Sequence, residues 1–446
     1  MKNENKKKTR KASLVSENKI AETVYDPKLE QTHFVVYKDG EIKFFDKINK
    51  EQEEVFPLDG KNDIVSKGIV LLPSEPLEYG TDAELLKDIQ LFIHKYLEIS
   101  PMYEQIASYY ALFSWLHDRF HEVPYLRAIG DFGSGKSRFL QVIGSICYRP
   151  IFTGGATTTA PIFRILNEIR GTLVLDEADL RFSDMTTDII KILNAGYQKG
   201  GNVLRMGGKD MEDLKAFDVF GPKIVATRET FNDKALESRF LVEEMGRGKL
   251  RDDIPRRLSD EFWNEARELR NKLLMWRFRN YQKELVYDEK PIEGVHPRLN
   301  QIISPLMTII DDEVMKQSLR EFVQKYNVEL TADRNLSREA DIIFAILRLQ
   351  HEKKVKEATI GEIAEYVNSD IFDFDDKLTP KKIGWYLRSK LHLHAYRKRN
   401  GFTLDFEINA EKLNLWKARF GITDSDIQGE DVNVVNDVND INEVNK

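Results

Sequence analysis

The sequence predicts an α/β fold: a parallel sheet with helices on both faces. Three observations predict it. Strand-like and helix-like segments alternate between residues 125 and 227, which is the pattern of parallel-sheet domains. A glycine-rich loop, Gly130-Asp131-Phe132-Gly133-Ser134-Gly135-Lys136-Ser137, joins the first of these strands to the first helix. A run from Gly171 to Leu175 then ends in two carboxylates, Asp176 and Glu177. Strands buried on both faces read as such apolar runs.

Length and composition set the frame. At 446 residues the chain has room for two to four domains. With 41% hydrophobic and 32% charged residues it reads as globular, and no stretch is apolar enough for a membrane span. The basic N-terminus has no apolar segment behind it and so does not read as a secretory signal. Cys147 is the single cysteine, which excludes an intrachain disulfide or a cysteine-based metal site and fits a cytoplasmic location. The net charge of −7 conceals an asymmetry: residues 1–12 carry six cations against one acid, and residues 424–446 carry seven acids against one lysine.

Residues 1–20 are expected to be a basic disordered tail. Residues 21–80 read as a small β-rich module, with a hairpin over 32–46 that turns at Asp39-Gly40. The core is expected over 81–245. It opens with two helices over 82–120 and continues as strand 125–129, helix 136–147, strand 150–153, helix 160–169, strand 171–176, helix 185–195 and strand 222–227. A helical region follows over 246–330, and a separate small domain over 336–420. Residues 424–446 are of low complexity and are expected to be an acidic disordered tail.

The loop matches G-x-x-x-x-G-K-[ST] in full, in the strand–loop–helix context that the motif requires. Glycines let backbone N–H groups turn inward around phosphates, and the helix N-terminus adds its dipole. The ligand is therefore a nucleoside triphosphate, ATP as the expectation, held by Gly130, Asp131, Phe132, Gly133, Ser134, Gly135, Lys136, Ser137 and the following Arg138. Lys136 would reach the β- and γ-phosphates. Mg²⁺ would sit between the Ser137 hydroxyl and Asp176, since the C-terminal ends of parallel strands are where such sheets bind ligands. Glu177 would polarise the attacking water.

The string Asp176-Glu177-Ala178-Asp179 invites a DEAD-box reading. That family needs a second α/β domain, and the chain after residue 245 is helical. Residues 126–240 instead resemble the core of AAA+ ATPases, and most closely the replicative helicases of phages and mobile elements, which are similar to minichromosome-maintenance helicases. The resemblance implies that Lys223-Ile224-Val225-Ala226-Thr227 is the sensor 1 strand, with Thr227 near the γ-phosphate. Ser238-Arg239-Phe240 resembles the arginine-finger motif, which would carry Arg239 to the neighbouring subunit's nucleotide. His296-Pro297-Arg298-Leu299 resembles the sensor 2 segment of a helical lid, with Arg298 on the nucleotide; Arg256 and Arg257 lie in the same region. A finger acting in trans implies a homo-oligomer, with a hexamer as the family's expectation.

Two segments are candidates for DNA contact. Asn202–Met206 and Leu214–Phe217 read as a hairpin inserted before the sensor 1 strand. The resemblance implies that it points into a ring pore, with Arg205, Lys209 and Lys215 on phosphates; Asp210, Glu212 and Asp213 at its tip equally suit a solvated hairpin. Residues 337–408 read as a winged helix. Ser337 and Thr359 cap its first two helices, Thr379-Pro380 starts the third, and Asn400-Gly401 turns the wing. Lys381, Lys382, Arg388, Lys390, Arg397, Lys398 and Arg399 supply seven cations between 378 and 404 with no acid among them. Such a face suits phosphate contact, with protein contact as the other use of the same fold.

The leading expectation is an ATP-driven, ring-forming DNA helicase or translocase acting on single-stranded or forked DNA, with other replication proteins as further partners and no membrane. An initiator or helicase loader without unwinding activity is the second reading. An ATPase-coupled winged-helix transcriptional regulator is the third.

Overall fold

The structure is a computed structural model of the chain. It describes residues 6–154, 158–176, 184–206, 214–228, 230–231, 234–246, 250–287, 290–335, 338–368, 377–399 and 401–428. The described residues divide into two compact units, Met1–Val323 and Gln324–Lys446.

The first unit begins with short strands: β1 (Lys7–Arg10), β2 (Ser13–Ser16), β3 (Lys19–Asp26), β4 (Gln31–Lys38), β5 (Glu41–Phe45), β6 (Ile48–Asn49) and β7 (Glu53–Phe56). The expectation of a disordered tail over 1–20 is corrected from Lys7 onward. Lys7 and Lys8 lie opposite Glu53 and Glu54 in the parallel β1–β7 pair, so the basic run is placed beside an acidic strand that is remote in sequence. β2 to β5 form an antiparallel sheet. Its β4–β5 hairpin turns at Asp39 (φ 52°) and Gly40 (φ 85°), the two positive φ values that a tight two-residue turn demands.

This module is fixed to the rest of the unit by buried charge. Glu22 on β3 accepts from the Tyr148 hydroxyl, Arg149 Nη2 and Arg277 Nε. Arg277 also makes a bidentate pair with Asp118, at 2.9 and 2.7 Å.

After α1 (Asp63–Ser66), α2 (Asp82–Tyr96) and α3 (Pro101–Ser114) form the expected helical pair, with α2 started by a Thr81/Glu84 capping box. The α/β core follows: β8 (Tyr125–Ile129), α4 (Lys136–Ile146), β9 (Ile151–Thr153), α5 (Thr159–Ile169), β10 (Leu173–Leu175), α6 (Asp184–Ala195), β11 (Asn202–Met206), β12 (Leu214–Asp218), β13 (Lys223–Thr227), α7 (Lys234–Glu237) and β14 (Phe240–Glu244). Five strands form one parallel sheet in the order β14-β8-β13-β10-β9. β11 and β12 stand apart as an antiparallel hairpin placed before β13, as expected. Three helices complete the region: α8 (Asp260–Asn280), α9 (Pro297–Ile309) and α10 (Glu313–Asn335), within which the division into units falls.

The second unit contains α11 (Arg338–Lys353), β15 (Glu357–Thr359), α12 (Ile360–Val367), α13 (Pro380–Trp385) continuing as a wide turn through Lys390, β16 (Ala395–Lys398), β17 (Gly401–Asp405), α14 (Ala410–Arg419) and α15 (Asp424–Gln428). Thr359 and Thr379 cap α12 and α13 as expected, whereas Ser337 lies outside the described residues. The sheet order is β15-β17-β16, all antiparallel. The start of the expected acidic tail is corrected. Residues 424–428 are helical, because Ile427 enters the core and Asp424 pairs with Lys417. Among the described residues no helix is long and apolar enough to cross a membrane.

Candidate nucleotide site

The sheet order places the site. β13 lies between β8, which feeds the glycine-rich loop, and β10, which ends at Asp176. Thr227 at the tip of β13 is paired with Ile129, and its carbonyl accepts from the Gly130 N–H. The Asp176 N–H donates to the Thr153 carbonyl at 3.0 Å, which sets the direction in which the chain leaves β10. Loop, acid and threonine are thus gathered at the C-terminal edge of one sheet.

The loop is bent as its glycines allow. Gly133 (φ 80°) and Gly135 (φ 96°) are in the left-handed region, and Gly135 starts α4 with no side-chain cap. The first N–H groups of α4 are thereby left to a ligand, and phosphate suits them. Gly130 is required by close approach: a Cβ there would stand 2.9 Å from the Met245 carbonyl oxygen and 2.8 Å from Ser134 Oγ. Met245 packs on this loop from the end of β14, and its N–H donates to the Ile129 carbonyl at 2.7 Å. Lys136 Nζ donates to the carbonyls of Gly130 and Asp131, each at 2.6 Å. A phosphate would replace these carbonyls as its partners.

Ser137 Oγ lies 2.8 Å from Asp176 Oδ2. A hydroxyl and a carboxylate in contact at the head of an uncapped helix are hard oxygen ligands of the kind Mg²⁺ takes, with waters and phosphate oxygens completing its shell. Ser134 Oγ and Thr227 Oγ1 are buried without a hydrogen-bond partner among the described residues, and buried hydroxyls rarely remain so. These residues fit ATP and Mg²⁺. Glu177 lies outside the described residues.

Phe132, Arg138 and Arg298 belong to the loop, to the first turn of α4 and to α9. The Phe132 ring is 90% exposed, so it is the backbone at this position that belongs to the loop. Arg138 faces residues 255–256: its Nη2 donates to the Arg256 carbonyl at 2.8 Å, and its Nη1 to the Pro255 carbonyl. It ties the head of α4 to the start of the helical region. Arg298 is half-buried in the first turn of α9, its N–H donating to His296 Nδ1 at 3.2 Å.

Arg239 is 6% exposed. Its Nη1 donates to Asn194 Oδ1, and its guanidinium carbon stands 4.1 Å from the centre of the Tyr197 ring. In this single chain the arginine expected to act on a neighbour is folded inward. The segment before it is clamped by Arg127, which is buried on β8 between Phe231 and Phe240 and bidentate to Glu237 at 2.5 and 2.6 Å.

On the hairpin, Arg205 pairs with Asp188 and stands 4.1 Å over the Phe163 ring, while Thr159 donates to the same carboxylate at 2.9 Å. Lys215 is exposed opposite Arg205, and Lys209 lies outside the described residues. In the second unit Lys381, Lys382, Arg388, Lys390, Arg397 and Arg399 are exposed, whereas Lys398 is bound to Glu357 at 2.6 Å.

Asn194, Tyr197, Asp188, Met245 and the Arg127–Glu237 pair are the residues that sequence reasoning missed. Each acts through a tertiary contact between separate elements, for which no local pattern gives a signal.

No protein-family model matches this sequence, and no curated protein matches it. Among solved structures the chain is similar to the apo A form of the NrS-1 C-terminal region, with 11% identity, a TM-score of 0.37, and 86% of this chain and 96% of that one covered. It is also similar to SCCmec type IV Cch, described as an active helicase, with 12% identity, a TM-score of 0.38, and coverage of 90% and 99%. A third likeness is to Drosophila ORC bound to DNA, with 14% identity, a TM-score of 0.19, and coverage of 78% and 96%.

Proposed function

We propose that this chain is an AAA+ ATPase that works as a ring on DNA, as a helicase or translocase. The observation that carries the reading is the contact of Ser137 Oγ with Asp176 Oδ2 at 2.8 Å, beside a phosphate loop whose glycines and uncapped helix suit a triphosphate. Mg²⁺ held there supplies positive charge to the phosphate oxygens. Lys136 adds a second cation to the β- and γ-phosphates, Thr227 stands at the γ end, and Glu177 orients the attacking water. Arg239 comes from the adjacent subunit. A finger of this kind stabilises the charge of the phosphoryl transition state by about 10³-fold or more.

The helical region over 246–330 is the lid in this reading, tied to the site through Arg138. The β11–β12 hairpin contacts DNA in the pore, with Lys215 already exposed and Arg205 to be released from Asp188. The second unit is a winged helix that engages DNA through α13 and the β16–β17 wing. A loader or initiator is the second reading, favoured by the engagement of Arg205 with Asp188, which leaves the hairpin with fewer exposed cations.

ATP hydrolysis with and without single-stranded and forked DNA, together with strand displacement, separates them. A ring helicase shows DNA-stimulated hydrolysis and displacement, and Arg239→Ala loses both while nucleotide binding persists. Stimulation without displacement selects the loader. Hydrolysis indifferent to DNA and to Arg239 defeats both.

A further inference from the structure

We propose that the α13 face of the second unit binds single-stranded nucleic acid by stacking an unpaired base on Trp385. The inference rests on the reading that this unit contacts nucleic acid, and it names the form of nucleic acid bound.

The core of the unit is made by Ile383, Leu387 and Leu391 from this part of the chain. Trp385 takes no part in it and is 47% exposed. Phe402, on the wing, is 43% exposed. An exposed ring with a cation beside it suits a partner that presents both flat apolar groups and negative charge.

These two are framed by cations. Lys390 Nζ stands 5.7 Å from the centre of the Trp385 ring, and Arg388 Cζ stands 5.7 Å from that of Phe402. Lys381 and Lys382 are exposed one turn before Trp385. None of these four cations makes an ion pair among the described residues, in contrast to Lys398, which Glu357 holds. Unpaired cations beside an aromatic ring complement a phosphate chain that carries flat, apolar bases.

The choice between strands follows from geometry. In a duplex each base face is already covered by its neighbours, so a side chain meets only base edges and phosphates. A ring standing out from a helix gains by stacking only on a base that has been unstacked. Base–aromatic stacking tolerates any sequence and changes affinity by roughly 5- to 150-fold for each base.

The test uses the full chain, with oligothymidine and a blunt duplex of equal length as probes, followed by anisotropy and tryptophan fluorescence. Trp385→Ala is expected to weaken oligothymidine binding roughly tenfold and to leave duplex binding within about twofold. Trp385→Phe keeps most of the affinity. Oligothymidine quenches the wild-type fluorescence more than that of Trp385→Phe, and the duplex quenches both alike. Equal loss of both forms in Trp385→Ala, or equal quenching in Trp385→Phe, overturns the proposal.

The triple variant Lys381→Ala, Lys382→Ala and Arg388→Ala separates the two layers. Weakening by that variant with no effect of Trp385→Ala leaves the nucleic-acid reading intact and defeats the stacking. No effect of either defeats the nucleic-acid reading itself.

Discussion

Glu22→Gln is expected to destabilise the first unit more than any surface change, although Glu22 lies on an N-terminal strand far from the nucleotide loop. The carboxylate is 2% exposed and satisfies Arg149, Arg277 and the Tyr148 hydroxyl together. An amide of the same shape removes its charge and leaves two buried guanidiniums. Arg277 keeps Asp118 as a counter-ion. Among the described residues Arg149 keeps the carbonyls of Ile169 and Ala12 and the face of the Tyr148 ring, none of which carries a charge. Breaking a buried pair by removing one partner costs about 3–5 kcal/mol, and the surviving Asp118 pair puts this case near about 3. The unit ends at Val323, and an unfolding entropy of about 2.1 cal/mol/K per residue gives it about 0.7 kcal/mol/K. The melting temperature should therefore fall by about 4 °C. Calorimetry reads the shift, and limited proteolysis reads cleavage between β7 and α2 as the module loosens. A fall below about 1 °C would refute the reasoning, because the network would then be contributing no more than a surface pair.

Two further outcomes follow from the same contacts. Gly130→Ala should lower nucleotide affinity by about 5- to 150-fold, since overpacking against the Met245 carbonyl costs about 1–3 kcal/mol and shifts the loop; equilibrium dialysis checks it, and unchanged binding would show that the loop yields. His117 is buried, and burial holds its pKa down at about 4, with Arg277 and Arg149 opposing its charge and Asp118 favouring it. The unfolded state then binds the extra proton between pH 6.5 and 4, so stability is full above about 6.5 and falls by about 3 kcal/mol as pH drops through that window. Denaturant midpoints of wild type and His117→Gln across this range read the effect, and identical slopes would refute it.

The core was legible because its signals are local. Strands 125–129, 173–175 and 223–227 and the loop between the first strand and its helix carry their own apolar runs, glycines and carboxylates, and a buried parallel strand has few other ways to read. The Asp39-Gly40 turn and the Thr359 and Thr379 caps were legible for the same reason. What failed to read was long-range pairing. Lys7 and Lys8 look like a solvated tail until Glu53 and Glu54 are placed beside them, and nothing near Asp424 shows that Ile427 reaches a core. Arg239 and Arg205 were expected to reach a neighbouring subunit and DNA. Their present partners, Asn194, Tyr197, Asp188 and Phe163, were not legible, because an aromatic or an acid on a helix is usually packing or solvated surface.

Those partners bear on how the proposed ATPase would be controlled. Asp188 and Asn194 both belong to α6, the first helix after the acidic strand. One holds Arg205, and the other holds Arg239. Under the proposed function both arginines act beyond their own subunit, so each must first leave this helix. Leaving costs Arg239 at least its stacking on Tyr197, worth about 0.5–2 kcal/mol, and its hydrogen bond to Asn194, worth about 1. The gain at a neighbour's transition state, about 10³-fold, corresponds to about 4 kcal/mol. In the proposed ring the cost of release is deducted from that transition-state gain, and the remainder is what would speed hydrolysis. Under the proposed function, an isolated subunit with this arginine folded inward would hydrolyse slowly, which would couple hydrolysis to assembly. Because the same helix anchors the hairpin through Asp188, a shift of α6 that frees Arg239 would also disturb Arg205. In that reading nucleotide state in one subunit would reach the hairpin through one helix with two polar handles.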